Sequence, residues 1–243
     1  MHKRIYFIVA FLFAIILSAS TFDLVPMIAS IAPSGPQSII TFKITNDSSK
    51  SIAVSIKLLT RQVDENGVES NQATDKQFLL FPSRVVLEPN SMQNVKVQYR
   101  GSASISSEYA FRVIAEQLPV AFDKSSGSGI SILLRYIASL YVTPKGAASN
   151  VVLTKIIGAK KDDKTGLLVT LDNKGTKHSI IKNALIRINE SSGFREVEFK
   201  GESMAGFEGQ NILAASKRIF FIPWEPAELG VTYEGIFNAE FES

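Results

Sequence analysis

The sequence predicts an all-β protein built from two β-sandwich domains in tandem. Three observations support this fold class. Short apolar segments alternate with clusters of Asn, Asp, Gly, Ser and Pro about every ten residues, a spacing typical of sandwiches. The apolar residues of these segments show no helical period. The chain has 243 residues, enough for two domains of roughly 100 to 150 residues each.

In the first half of the chain, every second residue of several segments is apolar. Ile40, Phe42 and Ile44 alternate up to a polar turn at 46–49, and a second alternating segment follows at 54–58. Because side chains of a strand point to opposite faces in turn, each segment predicts a strand with one buried face. Further strands are predicted in the segments 78–87, 95–99, 111–115 and 130–142.

A proline followed by small residues at 143–149 predicts the domain boundary, since proline ends a strand ladder and no apolar alternation follows. We therefore expect an N-terminal domain at 21–143, closed by an edge strand at 130–142, and a C-terminal domain at 144–243. The second domain has its own strand candidates, at 151–157, 167–171, 180–188, 194–199, 212–221 and 233–241.

Residues 1–20 have the pattern of a secretory signal peptide. A basic head at His2-Lys3-Arg4 precedes an apolar run from Ile5 to Leu17 and the small residues Ser18-Ala19-Ser20. The run is shorter than the about 20 residues of a membrane-spanning helix. We therefore expect a cleaved signal and a periplasmic protein, and an uncleaved anchor is the alternative.

The charge balance argues against a nucleic-acid surface. Cleavage would remove two of the 26 basic residues and leave them nearly balanced by 23 acidic ones. The sequence also lacks the basic stripe with interleaved aromatic residues that nucleic-acid binding requires. No nucleic-acid partner is expected.

Signals for catalysis or metal binding are poor. The chain has no cysteine, and the mature part retains one histidine, His178, so a closed zinc site and a Cys/His nucleophile pair are excluded. Gly201 and Gly206 have the spacing of a phosphate loop, but Phe207 and Glu208 stand where its Lys and Ser/Thr are needed. His178 lies in a polar, turn-like stretch and is expected on the surface or at a cap. These observations predict a binding protein, not an enzyme, with no cofactor, no metal and no small-molecule substrate.

Several segments, in this order, resemble the PapD-like periplasmic chaperones of pilus and fimbrial assembly. Residues 38–47 are similar to the second strand of that family, and 80–91 to its proline-flanked strand and turn. Residues 111–119 resemble the strand before its long loop, and 130–144 the edge strand that closes its first domain. In the second half, 171–178 and 212–223 resemble its second sandwich.

The resemblance implies two immunoglobulin-like sandwiches with a cleft between them, and a function. Such chaperones bind, stabilise and deliver pilus or fimbrial subunits by donor-strand complementation, in which the chaperone lends a strand to a subunit that lacks one. The implied partners are these subunits and an outer-membrane usher. The alternative is an exported structural subunit of a pilus or surface fibre. A subunit should carry an alternating donor extension, whereas the apolar stretch 21–30 is interrupted by Pro26.

The lent strand is expected to present one apolar row. Ile130, Ile132, Leu134 and Tyr136 share a face by the period of two, and the row continues through Ala138 and Leu140. By the resemblance this row binds the subunit. The alternative is that it packs into the domain's own core.

The family's usual basic anchor for the subunit's terminal carboxylate is missing. The corresponding positions hold Ala29 and Ser139. This departure resembles the divergent, archaic branch of the family, whose pattern of a Tyr and an Arg ahead of a Glu and a Pro fits the segment 108–119 better. The resemblance therefore transfers the anchoring role to Arg112 and Arg135, with two ordinary solvated arginines as the alternative.

Overall fold

A computed structural model describes residues 22–74, 76–119, 132–189 and 196–242. These residues form eighteen strands and two short 3₁₀ helices, at Pro36–Ser38 and Gly201–Met204. Within the described ranges, no helix is long and apolar enough to cross a membrane. The strands are β1 Phe22–Val25, β2 Ile28–Ile31, β3 Ile39–Asn46, β4 Ile52–Thr60, β5 Gln62–Val63, β6 Glu69–Ser70, β7 Phe78–Phe81, β8 Arg84–Leu87, β9 Ser91–Tyr99, β10 Tyr109–Gln117, β11 Arg135–Val142, β12 Val151–Lys161, β13 Lys164–Asn173, β14 Ser179–Asn189, β15 Glu196–Phe199, β16 Asn211–Ile212, β17 Lys217–Pro223 and β18 Gly235–Glu242.

The first eleven strands form a sandwich and a small hairpin. One sheet has the order β1-β3-β9-β7 and the other the order β2-β11-β10-β4-β8. Every second residue of the central strands is buried between the sheets, as the alternation predicted, including Phe42, Val54, Val97 and Val113. β5 and β6 pair only with each other. They form a hairpin that projects from the end of β4.

The last seven strands form a second sandwich with a separate core. One sheet has the order β12-β13-β17, and the other has the order β15-β14-β16 with β18 also paired to β14. Its core includes Leu171, Ile186 and Ile222. Trp224 packs edge-on against Phe199 and Tyr233 and is a packing residue of this domain.

The predicted fold class is confirmed: the described chain is nearly all β and forms two sandwiches in tandem. β11 ends at Val142 and β12 begins at Val151. The boundary at 143/144 stays a prediction within this interval.

In both sandwiches, a buried asparagine side chain at a strand end holds a turn in place. Asn46 and Asn173 each end a strand and are fully buried. The side-chain amide of Asn46 donates to the carbonyls of residues 50, 87 and 88, and that of Asn173 donates to those of residues 177, 212 and 213. Each amide therefore ties a turn to a distant strand end, and its hydrogen bond to the carbonyl of residue 87 or 212 is buried.

Replacement of Asn173 by alanine is expected to lower the free energy of unfolding of the second domain by about 2–4 kcal/mol, because each buried carbonyl left without a donor costs ~1–3 kcal/mol. Urea unfolding followed by the fluorescence of Trp224, the single tryptophan, measures this. Asn94→Ala, at an exposed position of β9, serves as the control and should change stability by less than about 0.5 kcal/mol. Equal unfolding midpoints for the two variants would contradict the assigned role.

Candidate functional site

The last strand of the first domain, β11, pairs along its whole length with one neighbouring strand but along only half its length with the other. β11 pairs antiparallel with β10 from residue 135 to residue 142, but on its other side only residues 139–142 pair, in parallel, with β2. The N–H of Ser139 donates to the carbonyl of Met27 at 2.8 Å. Because strand backbones alternate in direction, the N–H and C=O groups of Arg135 and Ile137 point to the same side. Among the described residues no strand pairs with them there.

The predicted apolar row lies on the inner face of this strand. Ala138, Leu140 and Val142 belong to the first core, and Leu134 and Tyr136 pack against it while only partly buried. The Tyr136 ring meets Phe22 edge-on, with 4.8 Å between ring centroids.

Ile132 continues the row but is 73% exposed. Ile130 lies outside the described residues. The row therefore leaves the domain's core progressively toward the uncovered end of the edge. Ala138 and Leu140 pack into the core, and binding of a subunit by Ile130, Ile132, Leu134 and Tyr136 stays a prediction.

Arg112 and Arg135 both lie on the outer face of the same sheet, but the structure does not bring them together. Arg112 is opposite Ser139, whereas Arg135 is opposite Glu116. The two positions are four residues apart along the strand pair, or about 13 Å at ~3.3 Å per residue. Arg135 is exposed. Arg135 lies outside the group of side chains that surrounds Arg112.

Arg112 instead forms a cluster with Arg61 and Glu69, two residues that the sequence did not single out. The guanidinium of Arg112 holds the Glu69 carboxylate with two parallel hydrogen bonds, from Nε to Oε1 at 2.8 Å and from Nη2 to Oε2. Arg61 Nε donates to the same Oε2 at 3.0 Å, and Arg112 Nη1 donates to Ser139 Oγ at 2.6 Å. The side chains of Arg61 and Arg112 are 10% and 18% exposed.

The carboxyl group of Glu69 is held in its charged form. Burial alone would raise its pKa, but the hydrogen bonds and charges of Arg112, and then of Arg61, outweigh burial and hold the pKa below the ordinary value of 4.5. No sequence signal marked this cluster, because Glu69 lies on the β5–β6 hairpin and only the fold brings it over β10.

The cluster occupies the place where the family resemblance puts its basic anchor. Ala29 and Ser139, which stand at the two anchor positions, lie side by side, since Ser139 is opposite Ile28 and Leu140 is opposite Ala29. Arg112 reaches this point from the neighbouring strand through its hydrogen bond to Ser139. A guanidinium therefore lies beside these two positions, and β10 supplies it.

A buried contact joins the two sandwiches beside this cluster. Glu108 Oε1 accepts a hydrogen bond from the His178 backbone N–H at 3.0 Å and lies 2.6 Å from His178 Nδ1, while Oε2 accepts from Thr143 Oγ1 at 2.7 Å. The His178 ring stacks on Tyr141, with 3.7 Å between centroids. His178 is only 2% exposed, so the expectation of a surface or capping histidine is wrong.

Tyr141 connects this contact to the arginine cluster. Its hydroxyl accepts hydrogen bonds from Arg61 Nη1 at 3.0 Å and from Asn211 Nδ2 of the second domain at 2.8 Å. A cavity of about 340 Å³ opens beside Arg61, between the first domain and residues 213–216 of the second. Among the described residues, no group of His, Asp and Glu side chains could hold a metal ion.

Comparison with known sequences identifies the first domain. The sequence profile described as "Pili and flagellar-assembly chaperone, PapD N-terminal domain" matches residues 30–148. This range runs from β2 to the residues just beyond β11 and therefore includes the half-covered edge and Arg112. No curated protein sequence gives a significant match.

Solved structures extend the similarity to both domains. A chain of the CsuC–CsuE chaperone–tip adhesion subunit pre-assembly complex, from archaic chaperone–usher Csu pili of Acinetobacter baumannii, is 15% identical and superposes with a TM-score of 0.62 over 90% of this chain and 98% of that one. The class 5 fimbriae chaperone CfaA is 13% identical, with a TM-score of 0.55 over 90% and 99% of the two chains. The Escherichia coli chaperone DraB is 11% identical, with a TM-score of 0.52 over 90% and 96%. At these identities the likeness shows a shared two-domain fold.

The cluster predicts a pH-dependent stability. Because the pKa of Glu69 is lower in the folded chain than its ordinary value, the ion pairs contribute fully above about pH 5, and their contribution is lost as pH falls through the folded pKa. Thermal unfolding midpoints measured between about pH 7 and pH 3 should therefore fall less steeply for Glu69→Gln than for the unmodified protein. Parallel curves for the two proteins would refute this contribution of Glu69.

Proposed function

Because this chain belongs, through its N-terminal domain, to the PapD family of pili and flagellar-assembly chaperones, we propose that it binds a pilus or fimbrial subunit along the uncovered half of β11 and holds it by donor-strand complementation. The family consists of chaperones and not of enzymes, so the prediction of a binding protein is confirmed. The same family argues against the alternative of a structural pilus subunit.

The single observation that carries the proposal is the free edge next to an apolar row. A strand added beside Arg135 and Ile137 would pair with their outward-facing N–H and C=O groups and extend the five-stranded sheet. Its inner face would then continue the first core, where Ile132 is exposed and Leu134 and Tyr136 are half-covered. Backbone pairing supplies affinity in this mode of recognition, and the apolar side chains fill the gap in the subunit's core.

The edge also limits where the bound strand can end. β2 lies in line with the free half of the edge and begins at Ile28, so an added strand must stop near Met27. If it runs parallel to β11, as β2 does, its carboxyl end comes to lie beside Ser139, to which Arg112 donates. A charge-assisted, bidentate bond to a guanidinium is a strong way to fix a chain end. We assign this role to Arg112, with Arg61 and not Arg135 as the second cation.

Export and delivery complete the proposal. Residues 1–20 lie outside the described structure, and we propose on their sequence pattern that they are a cleaved signal directing the protein to the periplasm. Of the similar structures, one is a chaperone–subunit complex from a chaperone–usher system, which supports an outer-membrane usher as the second partner.

Ile132→Asp should weaken subunit binding at least ~10-fold and leave the thermal midpoint unchanged. The side chain is 73% exposed in the free protein, so its replacement costs little folding energy, whereas a charge in the subunit's apolar groove removes a desolvated contact. A factor of ten corresponds to about 1.4 kcal/mol. Binding is measured with the subunit that co-purifies with the unmodified protein.

Met92→Asp is the matched control, since Met92 is 65% exposed in the same domain but lies on the other sheet. It should bind the subunit normally. If Ile132→Asp binds as tightly as Met92→Asp, strand donation through this row is refuted.

Periplasmic extracts test the export and the partner together. Mass spectrometry should find a mature chain beginning at Ser20 or Thr21 and, in the same purified complex, a stoichiometric small β-rich protein. An intact Met1 in the membrane fraction would contradict the cleaved signal. A mature protein that is recovered without any such partner would contradict the chaperone assignment.

A further inference from the structure

We propose that the β5–β6 hairpin is a displaceable latch, in which Glu69 occupies the Arg61–Arg112 pair of the unloaded protein and gives way to the terminal carboxylate of a bound subunit. The identity of the incoming carboxylate rests on the proposed function. The exchange of Glu69 for another carboxylate does not, and it can be tested without a subunit.

The two largely buried arginines, Arg61 and Arg112, need a carboxylate between them. Two arginines with side chains 10% and 18% exposed share one carboxylate, so the cluster keeps a net charge of +1. Cations removed this far from water are costly unless they are paired and hydrogen-bonded. Glu69 provides this pairing with both oxygens, in the bidentate geometry that a free chain end would also adopt.

Glu69 is placed on an element that can leave. β5 and β6 have two residues each and pair as strands only with each other in the described chain. The base of the hairpin is tied to β4 by the Leu59–Ala73 bridge and by the hydrogen bond from the Thr60 N–H to the Gln72 carbonyl. Beyond this base the hairpin is a two-stranded element, and such an element is marginally stable in water. The Glu69 carboxylate itself is 25% exposed, more than either arginine. Arg61 and Arg112, in contrast, follow or belong to long strands of the five-stranded sheet. The cations are therefore fixed in the sheet, and the anion is carried by the weaker element.

The hairpin also connects the site to the second domain. The Glu65 carbonyl accepts a hydrogen bond from the N–H of Ile219 at 2.7 Å, on the free edge of β17. Gly67 lies against the guanidinium of Arg218, where an added Cβ would be 2.5 Å from Nη2. Release of Glu69 from the arginines would therefore loosen a contact between the two domains as well.

Arg218 is a residue of β17 whose surroundings depend on the hairpin. It is 8% exposed and donates to the Asn211 carbonyl and to Gln210 Oε1, while its Nε has no partner. Among the described residues no carboxylate oxygen lies within ion-pair distance of it, and burial lowers its pKa. The hairpin covers the Arg218 guanidinium. If the hairpin moves away, amide hydrogen exchange should therefore change in β17, which carries Arg218.

The first test is chemical rescue by acetate. Glu69→Ala leaves the two arginines without their anion and should lower the thermal midpoint by about 2–6 °C. Acetate should restore at least half of this loss, whereas chloride at the same ionic strength should not. The unmodified protein should respond to the two salts equally. If the alanine variant does not fold, Glu69→Gln, which keeps the shape but not the charge, takes its place in the same measurement.

Glu116→Ala is the matched control. Glu116 lies on the same outer face of β10 and pairs with Lys57, but both side chains are more than 40% exposed. Acetate should not affect its midpoint differently from chloride. The exchange is refuted if acetate stabilises all three proteins alike, or if it still rescues Glu69→Ala after Arg112 is also replaced by alanine.

The second test asks whether a bound subunit performs the exchange. In the complex purified from the periplasm, amide hydrogen exchange should become faster in both 62–72 and 217–223 than in the free chain. Slower or unchanged exchange in these two segments would refute displacement of the latch. Failure to obtain a complex refutes the proposed function, and failure of acetate refutes the exchange, so the two outcomes are distinguishable.

Discussion

The half-covered edge of β11 imposes the constraint to which the rest of the first domain is adapted. A sheet edge presents unpaired backbone groups, and an apolar row beside it invites association with another chain. Natural proteins usually place charges in such a row. Here the one charged residue of this part of the strand, Arg135, points to the outer face and leaves the inner row unbroken. Half-burial of Leu134 and Tyr136 limits the exposed apolar area beside this edge, but no strand of the described residues pairs with the backbone groups of Arg135 and Ile137.

In the proposed complex, the two faces of the five-stranded sheet would make different contributions to recognition. On the inner face, apolar side chains provide a contact that is large and nearly non-directional. On the outer face, Arg112 is held by Ser139 and Glu69 in a fixed orientation, which suits a contact that must select one point on a bound chain. A strand can slide along a purely apolar edge in steps of two residues. A charged chain end bound by an oriented guanidinium would remove this freedom, so under the proposed function the outer face would set the register that the inner face cannot set alone.

Sequence patterns predicted the strands and the core, which depend on the local period of apolar residues. They did not predict contacts between segments that are far apart in the chain. The alternation around Phe42, Val54 and Val113 identified strands and core because a strand needs only its own residues to show a buried face. The anchoring role of Arg112 and Arg135 stays a prediction, but their relative position needed the register of β10 against β11, which places Ser139 opposite Arg112 and Glu116 opposite Arg135. His178 looked solvated because its sequence neighbours are polar, and only Glu108 and Tyr141 of the other domain bury it. For the same reason, nothing local pointed to Glu69.

Two of the contacts between the domains, the Glu108–His178 contact and the hairpin contact on β17, differ in a way that bears on how the protein could respond to a ligand. The Glu108–His178 contact is buried on both sides, and Oε1 of the carboxylate faces both the backbone N–H and Nδ1 of His178, so breaking it would leave several polar groups unpaired at once. The hairpin contact on β17 uses one backbone hydrogen bond and the packing of Gly67 on Arg218. A change at the arginine cluster would therefore release the second contact before the first. Tyr141 limits the extent of such a change, because it stacks on His178 while it accepts a hydrogen bond from Arg61. In the proposed exchange, Arg61 would therefore keep its place, and the domains would keep their orientation while the hairpin leaves.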